Sequence, residues 1–408
     1  MKSIIHSVVK HFDSIILRPW AARQLCSLTH GKAKQTPLYN FHVENSGKMI
    51  DYCGFLLPIQ YANQSVLESH CHVRKHCGLF DVSHMLQVRI HCKNRVRFIE
   101  SITTADLKSL PSNCGTLSVY LNANAGIMDD TIINKCEQPY LYLVSNAACR
   151  DKIIKHLQMA AECVDLLDEK PVVEIMEKHA LIAIQGPRSN ELLRKCIPHK
   201  EQTLLDNLYF METSLFSSLC GIDSSEPIRI TRCGYTGEDG YEISLPGSAA
   251  EVFANCVLQY DFVKPIGLAA RDTLRLEAGL CLYGNELSED ITPIEASLAW
   301  LISKRRRNPE AQPRFPGFEI IRTQILEPEK LTQKRVGLLG SKGPQPRLVE
   351  VGGVKKIVKS RKNEADPLHY LAVRDELFDI IYEAHVSTGH GGEKKPKDFL
   401  MTNTQTYQ

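Results

Sequence analysis

The sequence predicts an α+β fold of mixed antiparallel sheets and helices, and three observations carry that expectation. The chain has 408 residues, 43% hydrophobic and 24% charged, which is close to the soluble globular average and long enough for two or three packed units. Segments 118–121, 127–134 and 140–144 are strand-like and separated by Asn/Gly and Glu-Gln-Pro turn signals, the pattern of an antiparallel meander. Helical patterns over 151–163, 189–196 and 268–280 do not alternate with strands as a regular βαβ chain requires.

At the N-terminus, residues 1–35 carry Lys2, Lys10, Arg18, Arg23, Lys32 and Lys34 against one acid, Asp13. Apolar residues recur through Ile4, Ile5, Val8, Val9, Ile15, Ile16 and Leu17. A basic amphipathic segment without a compact apolar run is expected to be a mitochondrial presequence, the competing reading being a plain tail. The folded part is expected to begin at Thr36-Pro37-Leu38-Tyr39. A net charge of +2 argues against a general polyanion-binding surface, and no apolar run is long enough to span a bilayer, so neither nucleic acid nor membrane is expected as a partner. The 14 cysteines form no C-x-x-C pair and are read as reduced thiols. His70, His72 and His76 beside Cys71 and Cys77 are read as surface imidazoles on a helix rather than metal ligands, because closing ligands at metal-site spacing are missing. No metal is expected.

Asp129 and Asp130 lie inside the meander, and strand alternation sends them to opposite faces. Further on, 228–231 and 241–245 read as strands around the turn Arg232-Cys233-Gly234-Tyr235-Thr236-Gly237-Glu238-Asp239-Gly240. Alternation puts Tyr241, Ile243 and Leu245 on one face and Glu242 and Ser244 on the other. A carboxylate so placed can accept a pair of N–H bonds from an amidine-like edge, although composition alone favours an exposed acidic hairpin. Arg271 and Arg275 stand one helical turn apart. Either can meet an anion, and the blander reading has both, with Glu277, facing water. Segment 292–302 is expected to be a further short helix, Lys304–Arg307 a solvated basic face, 309–316 a loop, and 335–339 the start of a strand.

Several of these motifs together resemble one family. Phe80-Asp81-Val82-Ser83-His84-Met85, Gly126-Ile127-Met128-Asp129-Asp130, the turn from Cys233 to Ser244 and the segment 267–284 look like the T-protein, or aminomethyltransferase, of the glycine cleavage system. Thr36-Pro37-Leu38-Tyr39, the segment 181–187 and Thr292-Pro293-Ile294-Glu295 add to the match in the same order. The resemblance covers Thr36 to Arg347 and implies a core at 36–303 of two interleaved α+β domains around a folate cavity. It implies transfer of a methylene carbon from the aminomethyl-dihydrolipoyl arm of H-protein to tetrahydrofolate, with ammonia released, in the mitochondrial matrix. Tetrahydrofolate is thus the expected co-substrate, and H-protein and other glycine cleavage components the expected partners. By motif position the catalytic carboxylate falls on Asp130 and the folate contacts on Glu242 and Arg271, with Tyr235, Met85 and Trp300 as further cavity-lining residues. Phe55 replaces the tryptophan usual in the family.

The resemblance ends after Lys342-Gly343-Pro344-Gln345-Pro346-Arg347. The family continues into a small β-barrel, which is therefore expected to be largely missing, with 304–347 a linker and its truncated start. Residues 348–408 are expected to be an unrelated, partly disordered tail with a helix-like stretch at 368–385 and no run of alternating strands. Ile381-Tyr382-Glu383-Ala384-His385 and Thr388-Gly389-His390-Gly391-Gly392 resemble half of the His/His/Cys/Cys zinc module of retroelement integrases, but no cysteine follows Cys281. Three alternatives follow: an impaired truncated isoform, a related folate-using demethylation domain, and a folate-binding iron–sulfur assembly factor. The demethylation domain normally joins a flavin oxidase, and no G-x-G-x-x-G is present. The assembly factor carries K-G-C-Y-x-G-Q-E, where this chain has Arg232-Cys233-Gly234-Tyr235-Thr236-Gly237-Glu238-Asp239.

Overall fold

The computed structural model describes residues 33–163, 169–331, 333–335, 347–351 and 354–358. The basic N-terminal segment, the helix-like stretch at 368–385, the integrase-like motif and most of the strand expected at 335–339 lie outside the described residues.

Two antiparallel-rich sheets organise the chain. The five-stranded sheet contains the expected meander, Cys114–Leu121, Ile127–Lys135 and Tyr140–Ser145, extended by Leu86–His91 and Val172–Ile175. The six-stranded sheet runs in the order Thr213–Leu219, Ile222–Thr231, Gly240–Pro246, His179–Gln185, Cys77–Asp81 and Val263–Pro265. Only its last pair is parallel. The chain passes between the sheets twice, at 82–85 and at 176–178, so the five-stranded sheet is one continuous stretch inserted between the first strand of the six-stranded sheet and the rest of it. A third, small sheet pairs Gly47–Tyr52 with Phe55–Tyr61 through a turn in which Cys53 (φ 52°) and Gly54 (φ 79°) are both left-handed, the geometry of a two-residue hairpin.

Local chemistry sets the helix ends. Ser65 opens the helix Val66–Lys75 with a full capping box, its hydroxyl accepting from Glu68 N while the Glu68 carboxylate accepts from Ser65 N. The helix Leu268–Ala278 stops at Gly279, whose φ of 75° closes it with the left-handed cap that glycine permits.

Three expectations need correction. Segment 292–302 is not a continuous helix: Thr292 and Glu295 exchange side-chain-to-backbone bonds around one turn, Ser297 takes φ 60°, and only Ala299–Leu301 is helical. The left-handed Ser297 interrupts the helix that the Thr292–Glu295 exchange would open. The basic run Lys304–Arg307 is not a solvated face. Arg306 is 1% exposed and donates to the carbonyls of Glu100, Thr103 and Pro313, while Arg305 pairs with Glu100 and Asp106. Arg307 donates to the carbonyls of Ile302 and Ala299. Arg305 and Arg306 thus tie the segment after the core to the helix Arg95–Ile102, whereas Arg307 bonds locally. The imidazoles of the Val66–Lys75 helix are half-buried and bonded, His70 to Thr273 and Glu277, His72 to the carbonyls of Cys77 and Phe262.

Phe315, Phe318 and Ile321 pack in one cluster with Val119, Leu121 and Ile127, so the compact unit continues beyond residue 303. A second unit contains a hairpin, Arg347–Val351 with Val354–Val358. No described helix is long and apolar enough to cross a membrane.

Candidate active site

Strand alternation builds the site. On Gly240–Pro246, Tyr241, Ile243 and Leu245 are fully buried in a core cluster, while Glu242 and Ser244 face a cavity between the two sheets. Ile132, Asn134, Tyr142 and Val144 of the meander line the opposite wall, and Arg229, Thr231 and Cys233 continue the near one. Asp130 shares a strand face with Ile132 and Asn134.

Glu242 is held but poorly satisfied. Its hydrogen-bonding partner is the Cys233 thiol; burial raises its proton affinity, and the nearby Arg271 guanidinium pulls in the opposite direction. Arg271 lies with its guanidinium carbon 4.5 Å above the Tyr235 ring. No described side chain forms an ion pair with Arg271. The Tyr235 hydroxyl donates to the Cys281 carbonyl, and its ring senses Arg271 and Asp130 together. Glu242, Arg271 and Tyr235 are thus electrostatically linked to Asp130, which comes from more than a hundred positions earlier in the chain.

The loop that carries Tyr235 is braced from beneath. Gln185 donates to the Cys233 carbonyl at 2.9 Å and accepts from Thr236 Oγ1 at 2.8 Å. A Cβ at Gly234 would lie 1.9 Å from Gln185 Oε1, so a side chain there would displace the brace. Arg232 and Asp239 close the loop with a two-bond pair at 2.8 and 2.9 Å.

The aspartates divide as alternation requires, Asp129 fully buried and Asp130 half-buried. Their carboxylates still meet at one amide. Asn146 Nδ2 donates to Asp129 Oδ1 at 2.9 Å and to Asp130 Oδ1 at 2.7 Å, and Asn146 N donates to Asp129 Oδ2 at 3.0 Å. Burial raises the proton affinity of both, and mutual repulsion raises it further at Asp129. The pair is thus electrostatically one unit, which alternation alone does not reveal.

Residues 38–306 match the family model described as GCVT N-terminal domain. The chain belongs to this aminomethyltransferase family. It is 46% identical over 319 residues to the mitochondrial aminomethyltransferase of Dictyostelium discoideum, covering 76% of each chain. With the human mitochondrial aminomethyltransferase it shares 42% over 311 residues, 76% of this chain and 73% of the other. The crystal structure of the glycine cleavage system aminomethyltransferase T from Bartonella henselae superposes with a TM-score of 0.66 at 33% identity, covering 80% of this chain and 85% of that one. The α+β fold and the family resemblance read from the sequence are borne out.

Within this aminomethyltransferase fold, Met85 is half-buried against the cluster that contains Tyr142 and Val144. Trp300 is 46% exposed on the Ala299–Leu301 turn. Arg275 turns inward: it is 2% exposed and paired with Asp272 and Glu286 at 2.8 Å each. Glu277 binds His70 and Arg74. Two cavity neighbours escaped the sequence reading. His84 sits 3% exposed against Tyr52 at 5.5 Å, and burial together with Arg271 pushes its imidazole down to about 4 despite Asp81. It stands inside the quoted Phe80-to-Met85 motif, so a signal existed. Asn146 carried none. Among the described residues, no group of three His, Cys, Asp or Glu side chains is placed to hold a metal ion.

Proposed function

We propose that the chain is a tetrahydrofolate-dependent aminomethyltransferase of the glycine cleavage system, acting in the mitochondrial matrix on the aminomethyl group carried by lipoylated H-protein. Membership of the family supports aminomethyl transfer, and the names of the relatives support a mitochondrial setting. The observation that carries the folate reading is a pair of under-satisfied charges close enough to influence each other. A half-buried carboxylate whose hydrogen-bonding partner is a thiol, and a guanidinium stacked on a tyrosine without an ion pair among the described residues, both retain capacity for a ligand.

Glu242 suits the edge of a pterin, where two neighbouring N–H groups donate to one carboxylate. Arg271, oriented by the Tyr235 ring, suits a carboxylate or carbonyl of the same molecule. Tetrahydrofolate, when bound, supplies the nitrogen that accepts the one-carbon unit as the C–S bond to the lipoyl arm breaks and ammonia leaves. Asp130 orients that acceptor and, in its ionised form, takes up a proton at its carboxylate. Its raised proton affinity brings it closer to neutral pH than a solvent-exposed aspartate, which favours proton transfer. The cavity walls Ile132, Val144 and Leu181 are apolar, which strengthens each of these interactions by limiting water.

The test is a single-turnover assay with aminomethylated H-protein, labelled at the methylene carbon, and tetrahydrofolate. Label should appear in methylenetetrahydrofolate with one ammonia per turnover, and Asp130→Ala should suppress both. Label that stays on H-protein, or leaves it equally fast without folate, overturns the reading.

A further inference from the structure

Three thiols converge on the side of the six-stranded sheet that faces away from Glu242. Cys196 belongs to the core cluster of Tyr241, Ile243 and Leu245, and Cys220 packs against it. The three come from separate elements: Cys196 ends the helix Ser189–Cys196, Cys220 occupies the turn after Thr213–Leu219, and Cys256 lies on the helix Gly247–Val257. Cys220 is hydrogen-bonded to both other thiols, and all three are reduced. The backbone binds the first two as well. Cys220 N donates to Cys196 O at 2.7 Å, a contact that sets two Cα atoms roughly 5 Å apart, inside the span a disulfide bridges.

Access and reactivity differ along the row. Cys220 (φ 54°) and Gly221 (φ 72°) form a two-residue hairpin turn that holds the Cys220 thiol half-buried at a strand tip, whereas Cys196 is 5% exposed. A small reagent meets Cys220 first. Hydrogen bonding to Cys196, together with burial, holds the Cys220 thiol well above its usual range, so it reacts slowly at neutral pH and faster as pH rises.

We propose that Cys196 and Cys220 are a latent, oxidation-responsive pair that closes to a disulfide on exchange with a low-mass disulfide such as oxidised glutathione. In the first step the Cys220 thiolate attacks one sulfur of the reagent and expels one glutathione thiolate. The Cys196 thiolate then attacks the Cys220 sulfur of the mixed disulfide and expels the second. Two protein thiols are oxidised, one reagent disulfide is reduced to two thiols, and the two protons released by the protein are taken up by the two expelled thiolates. The bond staples the end of one helix to the tip of a hairpin within the same core, and Cys256 remains a thiol.

The experiment incubates the full chain with excess oxidised glutathione at mildly alkaline pH, then maps peptides under non-reducing conditions. The expected product is a Cys196–Cys220 cross-linked peptide two hydrogens lighter than its parts. The melting temperature should rise by about 5 °C, reversed by a reducing agent. Cys256→Ser should keep the link and Cys220→Ser should lose it. A Cys220–Cys256 link, a lasting glutathione adduct on Cys220, or no link under conditions that oxidise the denatured chain overturns the proposal.

Discussion

Asp81, a buried acid beside His42, and Glu242, a half-buried acid near Arg271, are treated by the protein in opposite ways. Asp81 Oδ2 accepts from Thr36 Oγ1 at 2.7 Å and bonds His42 Nε2 at 2.9 Å, its Oδ1 accepts from Ser83 N at 2.9 Å, and His42 Nδ1 is in turn bonded to Tyr61 OH at 2.8 Å. Burial alone would raise its proton affinity, but His42, Ser83 and Thr36 outweigh burial and lower it. Glu242 and Arg271 are close enough to feel each other, yet burial wins and Glu242 binds its proton more tightly than usual. The first pair is complete within the protein and locks the small sheet to the strand Cys77–Asp81. The second is left incomplete, as expected of a pair that waits for a ligand. Each carboxylate has a nitrogen group near it, and the number of donors aimed at the carboxylate decides which role follows.

The comparison can be broken most forcefully at Asp81. Asp81→Ala strands three donors in a sealed site and should cost about 3 to 5 kcal/mol of unfolding free energy in denaturant melts, while folate affinity of the folded fraction stays near wild type. A variant that keeps its stability but loses folate would make Asp81 part of the site. Next comes chemistry at the meander. Asp130→Ala should lower turnover by a factor on the order of 10² or more, and Asp129→Ala, whose side chain faces the core, should act mainly on stability. A larger turnover loss for Asp129 reverses the assignment. Because Asp130 binds its proton unusually tightly, turnover that requires the ionised form should rise with pH through a value above the ordinary carboxylate range.

Glu242→Ala and Arg271→Ala should each weaken tetrahydrofolate binding by roughly 1 to 3 kcal/mol, read by calorimetry. Unchanged affinity in both removes the folate assignment. The smallest effect is a difference of sign. The depressed Asp81 contributes stability above its unfolded value of 3.8, lost as pH falls through the folded value. Glu242 is raised, so its favourable contribution is present below its unfolded value of 4.5 and is lost as pH rises through the folded value. Glu242→Gln should therefore be more stable than wild type near neutral pH, with the gap closing in acid, whereas Asp81→Asn should be less stable near neutral pH and approach wild type in acid. Gaps of the same sign in the two melting series would sink the contrast.

Period-two patterning was enough to place the meander within a few residues and to part Glu242 from Tyr241 and Asp130 from Asp129 onto opposite faces, because side-chain direction along a strand is a local property; that Asp130 and Glu242 are the functional members came from the family resemblance. The ordered motifs sufficed for the family. Local patterning misjudged the run Lys304–Arg307, where Arg306 lies fully buried: a charge run reads as solvated until a distant set of carbonyls, here those of Glu100 and Thr103, offers acceptors. It also missed Asn146, which joins two carboxylates only because Tyr140–Ser145 pairs with Ile127–Lys135 and delivers the next residue beside them. The sequence by itself determined the faces of its strands and the ends of its helices. The meeting of Asp130 with Asn146, of Glu242 with Arg271 and of Cys196 with Cys220 was decided by tertiary structure, since proximity across tens of residues depends on sheet order and register, which no local pattern encodes.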